Sequence, residues 1–250
     1  VCHSDLSSAR GRSRSTLPVI LGHEASGVVE RVGRSVSKVR PGDRVILSWA
    51  PNCGHCFYCA EAHPTLCDCY NHAANRGGLW DGSSRLSSTR GKVHHYSCVS
   101  SFAEYAVVPE AGCVPIAGDI PFAVAALVGC AVTTGFGAVV NDARVRPGSH
   151  VAVIGVGGVG INAIQAAAAS GAETVIAIDV NDDKKGVAER FGATHFVNPR
   201  QVDALEAVRA LTGGRGVDHA VECTGRPAAI AQAYDITRPG GGMVAVGIAG

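Results

Sequence analysis

The sequence has little charge and few aromatic side chains. Asp, Glu, Lys and Arg make up 17% of the 250 residues, Phe, Trp and Tyr account for 5%, and the formal net charge is +1. A protein that binds nucleic acid or an anionic membrane surface needs a concentrated positive patch, and this composition offers none. We therefore expect no nucleic-acid partner and a function in the chemistry of small, neutral molecules.

A membrane-spanning run and a signal peptide are also missing. No uninterrupted apolar stretch approaches the roughly 20 residues that cross a bilayer, and no charged start with an apolar core and a small-residue cleavage site is present. We therefore expect a cytoplasmic protein without membrane contact. Because the chain begins with Val1 rather than Met, and a candidate metal ligand already stands at Cys2, we also expect a fragment.

Cysteine, by contrast, is abundant, with ten in the chain. Four of them lie in the segment CGHCFYCAEAHPTLC, at Cys53, Cys56, Cys59 and Cys67. Two CxxC steps and a nearby fourth cysteine can surround one Zn²⁺ tetrahedrally, and four protein ligands leave no open position. The spacing thus predicts a structural zinc in a reducing compartment rather than disulfides. A redox-active pair or an iron–sulfur cluster is the alternative.

Glycine is abundant too, and its pattern predicts a dinucleotide-binding fold. The apolar run VAVIG has the length of a buried parallel strand, GVGGVG follows it, and INAIQAAAAS has the composition of a helix. In this spacing Gly155 allows a tight turn, Gly157 lets the backbone approach a pyrophosphate, and Gly160 lets helix pack on strand. A second apolar run ends in Asp179, where an acid can bind the adenosine ribose and favours NAD over NADP. An ordinary glycine turn in another α/β protein is the alternative.

Short strands broken by Gly and Pro predict a β-barrel-like first domain over residues 1–132. Its last predicted strand is SFAEYAVVP, residues 101–109. Residues 68–101 are polar and rich in glycine and serine, which is typical of a long surface excursion. The small, apolar residues 121–141 predict two short helices that meet near Gly129.

Residues 133–250 predict an α/β domain in which strands and helices alternate. The predicted strands are 151–155, 174–179, 195–198, 217–223 and 243–248, and the predicted helices are 159–170, 182–191, 202–212 and 227–236. A full dinucleotide-binding fold has a sixth strand. We therefore expect this domain to be incomplete after its fifth strand.

Several separated motifs together resemble the zinc-dependent medium-chain alcohol dehydrogenases in their order and approximate spacing. They are Cys2, the GHE at 22–24, the four-cysteine loop, Cys130, GVGGVG and Asp179. The resemblance covers essentially the whole chain and implies a GroES-like catalytic domain followed by a Rossmann NAD-binding domain. It also implies a catalytic zinc on Cys2, His23 and Cys130, the two-cysteine, one-histidine set known from alcohol dehydrogenases, with water or substrate as fourth ligand.

The resemblance further implies roles for individual residues. Asp5 would orient the ring of His23, Glu24 would lie near the metal, and Ser4 would take the proton of the alcohol. The implied cofactor-binding residues are His3 at the pyrophosphate, Thr134 near the nicotinamide, Gly155, Gly157, Gly158, Val159 and Gly160 in the turn, and Asp179 and Lys184 at the adenosine ribose. The implied substrate-pocket residues are Trp49 and Tyr96. One departure is Ser7, because many relatives carry there a histidine that ends the proton relay, and serine is not a base near neutral pH.

The implied reaction is hydride transfer between a primary alcohol or aldehyde and NAD, with an aromatic or medium-chain alcohol as the favoured substrate and two zinc ions per chain. One alternative is a thiol-adduct formaldehyde dehydrogenase of the same family. Another is a non-catalytic NAD-binding protein that keeps only the structural zinc. The four-cysteine loop disfavours a zinc-free reductase of the superfamily. Relatives associate through sheet edges, so we also expect a homodimer or homotetramer.

Overall fold

The structure is a computed structural model that describes residues 1–13 and 15–248. It divides into two compact units, Val1–Cys130 and Ala131–Gly250. The sequence analysis places the division after residue 132. Each unit has its own buried core.

The described part of the first unit holds two small sheets, ordered β1-β5-β4 and β2-β3-β6. The strands are β1 Val19–Ile20, β2 Ala25–Val28, β3 Arg44–Leu47, β4 Leu86–Ser88, β5 Gly91–His95 and β6 Cys113–Pro115. The helices are α1 His3–Ala9, α2 Phe57–Ala60, α3 Asp68–Asn75 and α4 Phe122–Leu127. The central strand β3 is antiparallel to both of its neighbours and contributes Val45 to a core cluster with Val39 and Cys113.

Residues 101–109 do not form the strand that the sequence predicts. At the start of the segment, the backbone N–H of Ser101 donates to the Gly22 carbonyl at 3.0 Å and that of Phe102 to the Leu21 carbonyl at 2.9 Å. Further on, Tyr105 is 75% exposed. A strand needs a neighbouring strand for its N–H and C=O groups, and the alternating apolar pattern of this segment does not by itself provide one.

The prediction that residues 68–101 are a surface excursion is wrong. Helix α3 places Tyr70 and Ala73 on one face, and both are buried. They form a core cluster with Cys67 and Cys98. The segment is polar on average, but two apolar side chains three residues apart suffice to anchor a short helix.

Residues 122–142 form one continuous helical stretch rather than two short helices. After α4 come a π-helical segment, Val128–Val132, then α5, Thr133–Gly137, and a second π-helical segment, Ala138–Asp142. A Cβ on Gly129 would lie 2.6 Å from the carbonyl oxygen of Leu47. The glycine therefore reflects close packing against β3 and not a chain reversal.

By length and composition, Phe122–Asp142 could cross a membrane, and no other helix among residues 1–13 and 15–248 could. The sequence analysis did not find this stretch because threonine and glycine interrupt its apolar run. A core helix meets the same criterion. In this stretch Cys130 and Val139 are buried, whereas Val124 and Val140 are about half exposed.

The second unit is a five-stranded parallel sheet in the order β11-β10-β7-β8-β9. Its strands are β7 His150–Ile154, β8 Thr174–Ile178, β9 His195–Val197, β10 Val217–Glu222 and β11 Thr237–Ala245. The helices between them are α6 Gly158–Ala169, α7 Lys185–Arg190, α8 Ala204–Leu211 and α9 Pro227–Ile236. All five predicted strands are present, and the predicted α/β fold is confirmed.

Alternate residues of each strand lie on opposite faces of this sheet. Val151 and Val153 pack in a cluster with α6 and α7, whereas Ala152 and Ile154 pack in a second cluster with α8 and α9. Strands covered on both sides are apolar throughout, which is why β7 and β8 could be recognised as short continuous apolar runs.

Candidate active site and metal centres

Two sulfur atoms and one imidazole converge in the first unit. Cys2 directly precedes α1, His23 lies just before β2, and Cys130 lies in the π-helical segment Val128–Val132. Their ligand atoms are all within 4.8 Å of one another, and no fourth side chain among the described residues joins the group. Two thiols and an imidazole with one position left open form the donor set of a catalytic zinc.

Asp5 forms hydrogen bonds with the imidazole of His23 and with the backbone N–H groups of Gly22 and Cys2. Its Oδ1 lies 3.1 Å from His23 Nδ1 and accepts the N–H of Gly22 at 3.0 Å, while its Oδ2 accepts the N–H of Cys2 at 3.1 Å. The residue is 2% exposed. When Nδ1 donates to this carboxylate, Nε2 is left with its lone pair for a metal, as in most metal-ligating histidines.

The charges in this cluster depend on one another. Hydrogen bonding with Cys130 lowers the pKa of Cys2 to about 3, and His23 and Ser4 act in the same direction, against burial. Burial lowers the pKa of His23, but hydrogen bonds to Asp5 and Cys2 outweigh it and raise this pKa to about 9. A thiolate, a buried carboxylate and an imidazole whose proton a metal can displace suit a divalent cation.

We expect Asp5→Asn to weaken zinc binding at the Cys2–His23–Cys130 site by roughly 10–100-fold, because the amide cannot offer two carboxylate oxygens to the imidazole and to the backbone donors. Competition with a chromophoric zinc chelator measures the affinity. Asp119→Asn, at an exposed carboxylate in the same unit, is the control and should leave the affinity unchanged. An Asp5→Asn chain with wild-type zinc affinity would show that Asp5 does not orient His23.

The sulfur atoms of the four-cysteine loop also lie within 4.8 Å of one another, at Cys53, Cys56, Cys59 and Cys67. The N–H of Cys53 donates to Cys67 Sγ and the N–H of Cys56 to Cys53 Sγ, both at 3.3 Å. A backbone hydrogen bond from His55 lowers the pKa of Cys53 to about 6, whereas burial raises that of Cys59 to about 11, with the neighbouring thiols adding to the effect. The set fits a closed, structural zinc site. All ten cysteines lie among the described residues, and none is in a disulfide.

The glycine turn joins β7 to α6 in the second unit. Gly155 has a φ of +91°, and a Cβ on Gly160 would overlap the carbonyl oxygen of Gly155. At Gly157, by contrast, a Cβ would meet open space. Helix α6 begins at Gly158, so its first-turn N–H groups lie at this open side. Room for a close backbone approach and unpaired N–H groups are what a pyrophosphate requires.

Asp179, directly after β8, is hydrogen-bonded to the glycine turn. Its Oδ2 accepts the N–H of Val156 at 2.7 Å, and its Oδ1 accepts the N–H of Asn181 at 3.0 Å. Lys184 is half-buried at the end of the 3₁₀ turn that follows. These residues border the side of the glycine turn on which a dinucleotide fold binds the adenosine ribose.

The two predicted pocket residues make different ring contacts. The ring of Tyr96 is 5.7 Å from that of His23. Trp49 packs edge-on against Tyr70 at 6.0 Å, in the core of the four-cysteine loop. Tyr96 is thus the predicted pocket residue with a ring contact to His23.

The other predicted residues lie at the edges of these sites. Ser4 Oγ is 3.5 Å from Cys2 Sγ, and Glu24 Oε2 is 3.0 Å from the amino group of Val1. A further group comprises His3, exposed at the start of α1, Ser7, half-buried on α1, Thr134, half-buried on α5, and Gly158 and Val159, on the first turn of α6.

Sequence reasoning missed two residues close to these sites. Cys69 lies beside the four-cysteine loop, where a hydrogen bond with Cys53 is the main cause that raises the pKa of Cys69 to about 11. Glu222 ends β10 and is fully buried. An acid at the last position of a strand, two residues before a Thr-Gly pair, is the signal that could have identified Glu222.

Two family descriptions match the chain. Residues 1–118 match the alcohol dehydrogenase GroES-like domain, and residues 158–250 match the zinc-binding dehydrogenase domain. Over 248 residues the chain is 42% identical to the probable S-(hydroxymethyl)glutathione dehydrogenase 1 of Schizosaccharomyces pombe, an alignment that covers 98% of this chain and 65% of that protein.

Solved structures agree with these matches. An alcohol dehydrogenase zinc-binding domain protein from Burkholderia ambifaria superposes with a TM-score of 0.91 at 38% identity, covering 100% of this chain and 67% of that one. Benzyl alcohol dehydrogenase from Acinetobacter calcoaceticus superposes with a TM-score of 0.87 at 32% identity, covering 99% and 67%. The chain therefore spans about two thirds of the length of the relatives it matches.

Proposed function

Because the chain belongs to the zinc-dependent medium-chain alcohol dehydrogenase family, we propose that it transfers a hydride between a primary alcohol or aldehyde and NAD. The observation that carries this proposal is the convergence of Cys2, His23 and Cys130 within 4.8 Å, with Asp5 on the imidazole. A zinc ion bound there supplies Lewis acidity, which lowers the pKa of the substrate hydroxyl.

The residues around the cluster have separate roles in the proposed reaction. The three ligands leave one position for the substrate oxygen, and Asp5 fixes the ring of His23. Ser4, 3.5 Å from Cys2 Sγ, receives the hydroxyl proton. Since Ser7 is not a base, the proton passes from Ser4 to water. Tyr96 shields one side of the reacting carbon from solvent.

We assign the cofactor to the second unit. The open space at Gly157 and the start of α6 accommodate the pyrophosphate, and Asp179 selects NAD through the adenosine ribose. Thr134 and Lys184, in the same unit, complete the assigned contacts. The four-cysteine loop holds a second, structural zinc.

The favoured substrate is an aromatic or medium-chain primary alcohol, because the ring of Tyr96 beside His23 offers an apolar wall. The second candidate is a thiol-adduct formaldehyde dehydrogenase. The name of the 42% identical relative supports it, as do the exposed Arg10 and Arg12, whose guanidinium groups suit the carboxylates of a peptide-like thiol.

Steady-state NADH formation distinguishes these activities. We expect turnover with benzyl alcohol or hexan-1-ol and NAD, and little turnover with NADP, since Asp179 repels a 2′-phosphate. Turnover only with formaldehyde plus glutathione would select the second candidate. A chain that binds NADH and about one zinc but turns over none of these substrates would instead be a non-catalytic NAD-binding protein.

We further propose that the protein acts in the cytoplasm as a homodimer or homotetramer. The support for this proposal is the family resemblance, since relatives associate through sheet edges of the nucleotide-binding domain.

A further inference from the structure

The turn after β10 borders the cofactor crevice of the second unit. Strands β7 and β10 are neighbours in the sheet order β11-β10-β7-β8-β9, so the strand order reverses between them. Open α/β sheets bind ligands at the carboxyl ends of the strands at such a switch point. Asp179 follows β8 on the adenosine side of β7. The turn of residues 223–225, after β10, therefore lies on the opposite, nicotinamide side.

The carboxylate of Glu222 points back onto this turn. Glu222 is 0% exposed, and its carboxylate accepts the N–H of Thr224 at 2.6 Å, the Thr224 hydroxyl, and the N–H of Gly225 at 3.1 Å. Within the part of the chain that the structure describes, no cationic side chain forms an ion pair with it. A buried carboxylate is tolerated only where hydrogen-bond donors meet it. Here all these donors come from the turn, so Glu222 and the turn hold each other in place.

The turn is closely packed at two points. A Cβ on Gly155 would lie 2.5 Å from the Thr224 methyl carbon, and a Cβ on Gly247, just after β11, would overlap the backbone of Gly225. The N–H of Gly247 also donates to the Glu222 carbonyl at 3.0 Å. The turn is thus packed between the glycine turn and the end of β11, and its conformation shapes the wall of the crevice.

We propose that Glu222 is a positioning residue for the nicotinamide half of the cofactor. Its carboxylate holds residues 223–225 in the conformation against which the nicotinamide ribose and ring pack. This inference rests on the proposed binding of NAD. Since the adenosine half binds on the other side of β7, next to Asp179, binding of AMP alone does not depend on Glu222.

Glu222→Gln tests the inference, because the amide keeps the size of the side chain but has one acceptor oxygen and turns an NH₂ group towards a backbone N–H. We expect the Kd of NADH to rise roughly tenfold or more, since only the fraction of molecules with an ordered turn binds it. The Kd of AMP should stay within about twofold, because AMP does not reach the turn. Fluorescence titration measures NADH binding and calorimetry measures AMP binding. Glu206→Gln, on α8, is the control and should change neither value, as its side chain is 74% exposed.

The outcomes separate this inference from the proposed function. Equal weakening of NADH and AMP binding would overturn the role of Glu222, as would unchanged NADH binding in a folded Glu222→Gln chain. If circular dichroism shows that this variant does not fold, Thr224→Val removes the hydroxyl donor and keeps the methyl group next to Gly155. The same selective loss of NADH binding is then expected, and its absence overturns the inference. A wild-type chain that binds neither nucleotide would overturn the proposed NAD dependence and, with it, the role of Glu222.

Discussion

Cys130→Ser is expected to lower the zinc content of the chain from about two ions to about one and to abolish alcohol-dependent NADH formation. A serine hydroxyl is a poor zinc ligand, and Cys2 and His23 alone leave two of the four positions without protein ligands. Mass spectrometry of the metal content and absorbance of NADH measure the two effects. The remaining zinc should be the one in the four-cysteine loop.

Cys113→Ser is the matched control for this prediction. Cys113 is buried in the same unit, with its Sγ 3.9 Å from the Pro109 carbonyl oxygen, and it belongs to neither group of metal ligands. It should therefore keep both zinc ions and the activity. If Cys130→Ser also keeps both, the assignment of Cys130 as a ligand is refuted.

The second large effect is expected at the structural site. Cys67→Ser should remove the zinc of the four-cysteine loop and lower the thermal unfolding midpoint by on the order of 10 °C, because the free energy of metal binding contributes directly to folding. Cys67 is fully buried, and its sulfur accepts the N–H of Cys53. Differential scanning fluorimetry measures the midpoint, and limited proteolysis should show new cleavage near residues 53–67.

Cys98→Ser provides the comparison for Cys67→Ser, since both cysteines are buried in the same core cluster. Cys98 Sγ donates to the Gly78 carbonyl oxygen at 3.6 Å, a contact that a serine hydroxyl can keep. We expect its zinc content to be unchanged and its midpoint to fall much less. Equal losses in the two variants would mean that packing, rather than zinc, stabilises the loop.

The second unit could be predicted from the sequence almost completely, because its signals are local. A buried parallel strand is a short apolar run, and the glycine turn and helix α6 follow β7 directly along the chain. Among the strands, only β11 differs from its prediction by more than one residue at an end, since it spans Thr237–Ala245 and the prediction spanned residues 243–248. The Gly-rich start of this strand, TRPGGG, carries no apolar pattern that could have revealed it.

The first unit was predicted less well because its structure depends on contacts between distant residues. Whether residues 101–109 form a strand depends on a neighbour rather than on their own alternation. The sequence analysis assigns Trp49 to the substrate pocket, and it does not predict that Trp49 packs against Tyr70 beside the four-cysteine loop. Neither contact leaves a periodic signal in the sequence.

The three-residue metal cluster is the extreme case. Cys2, His23 and Cys130 are far apart in the chain, and a single cysteine among alanines and valines is typical of a buried apolar position. Composition and periodicity could not have assembled the three residues. The family resemblance suggested them. In the structure the π-helical segment carries Cys130, and the ligand atoms of the three residues lie within 4.8 Å of one another.

The hydrogen bond between Asp179 and Val156 links the proposed preference for NAD over NADP to the structure of the glycine turn. The acid proposed to select NAD is also the acceptor for a backbone donor in the glycine turn, 2.7 Å away. A mutation that exchanges this acid for glycine, alanine or a basic residue, in order to admit NADP, would at the same time leave that donor without its partner. Reversing the preference in this way therefore requires a change in the glycine turn as well as in the recognition residue.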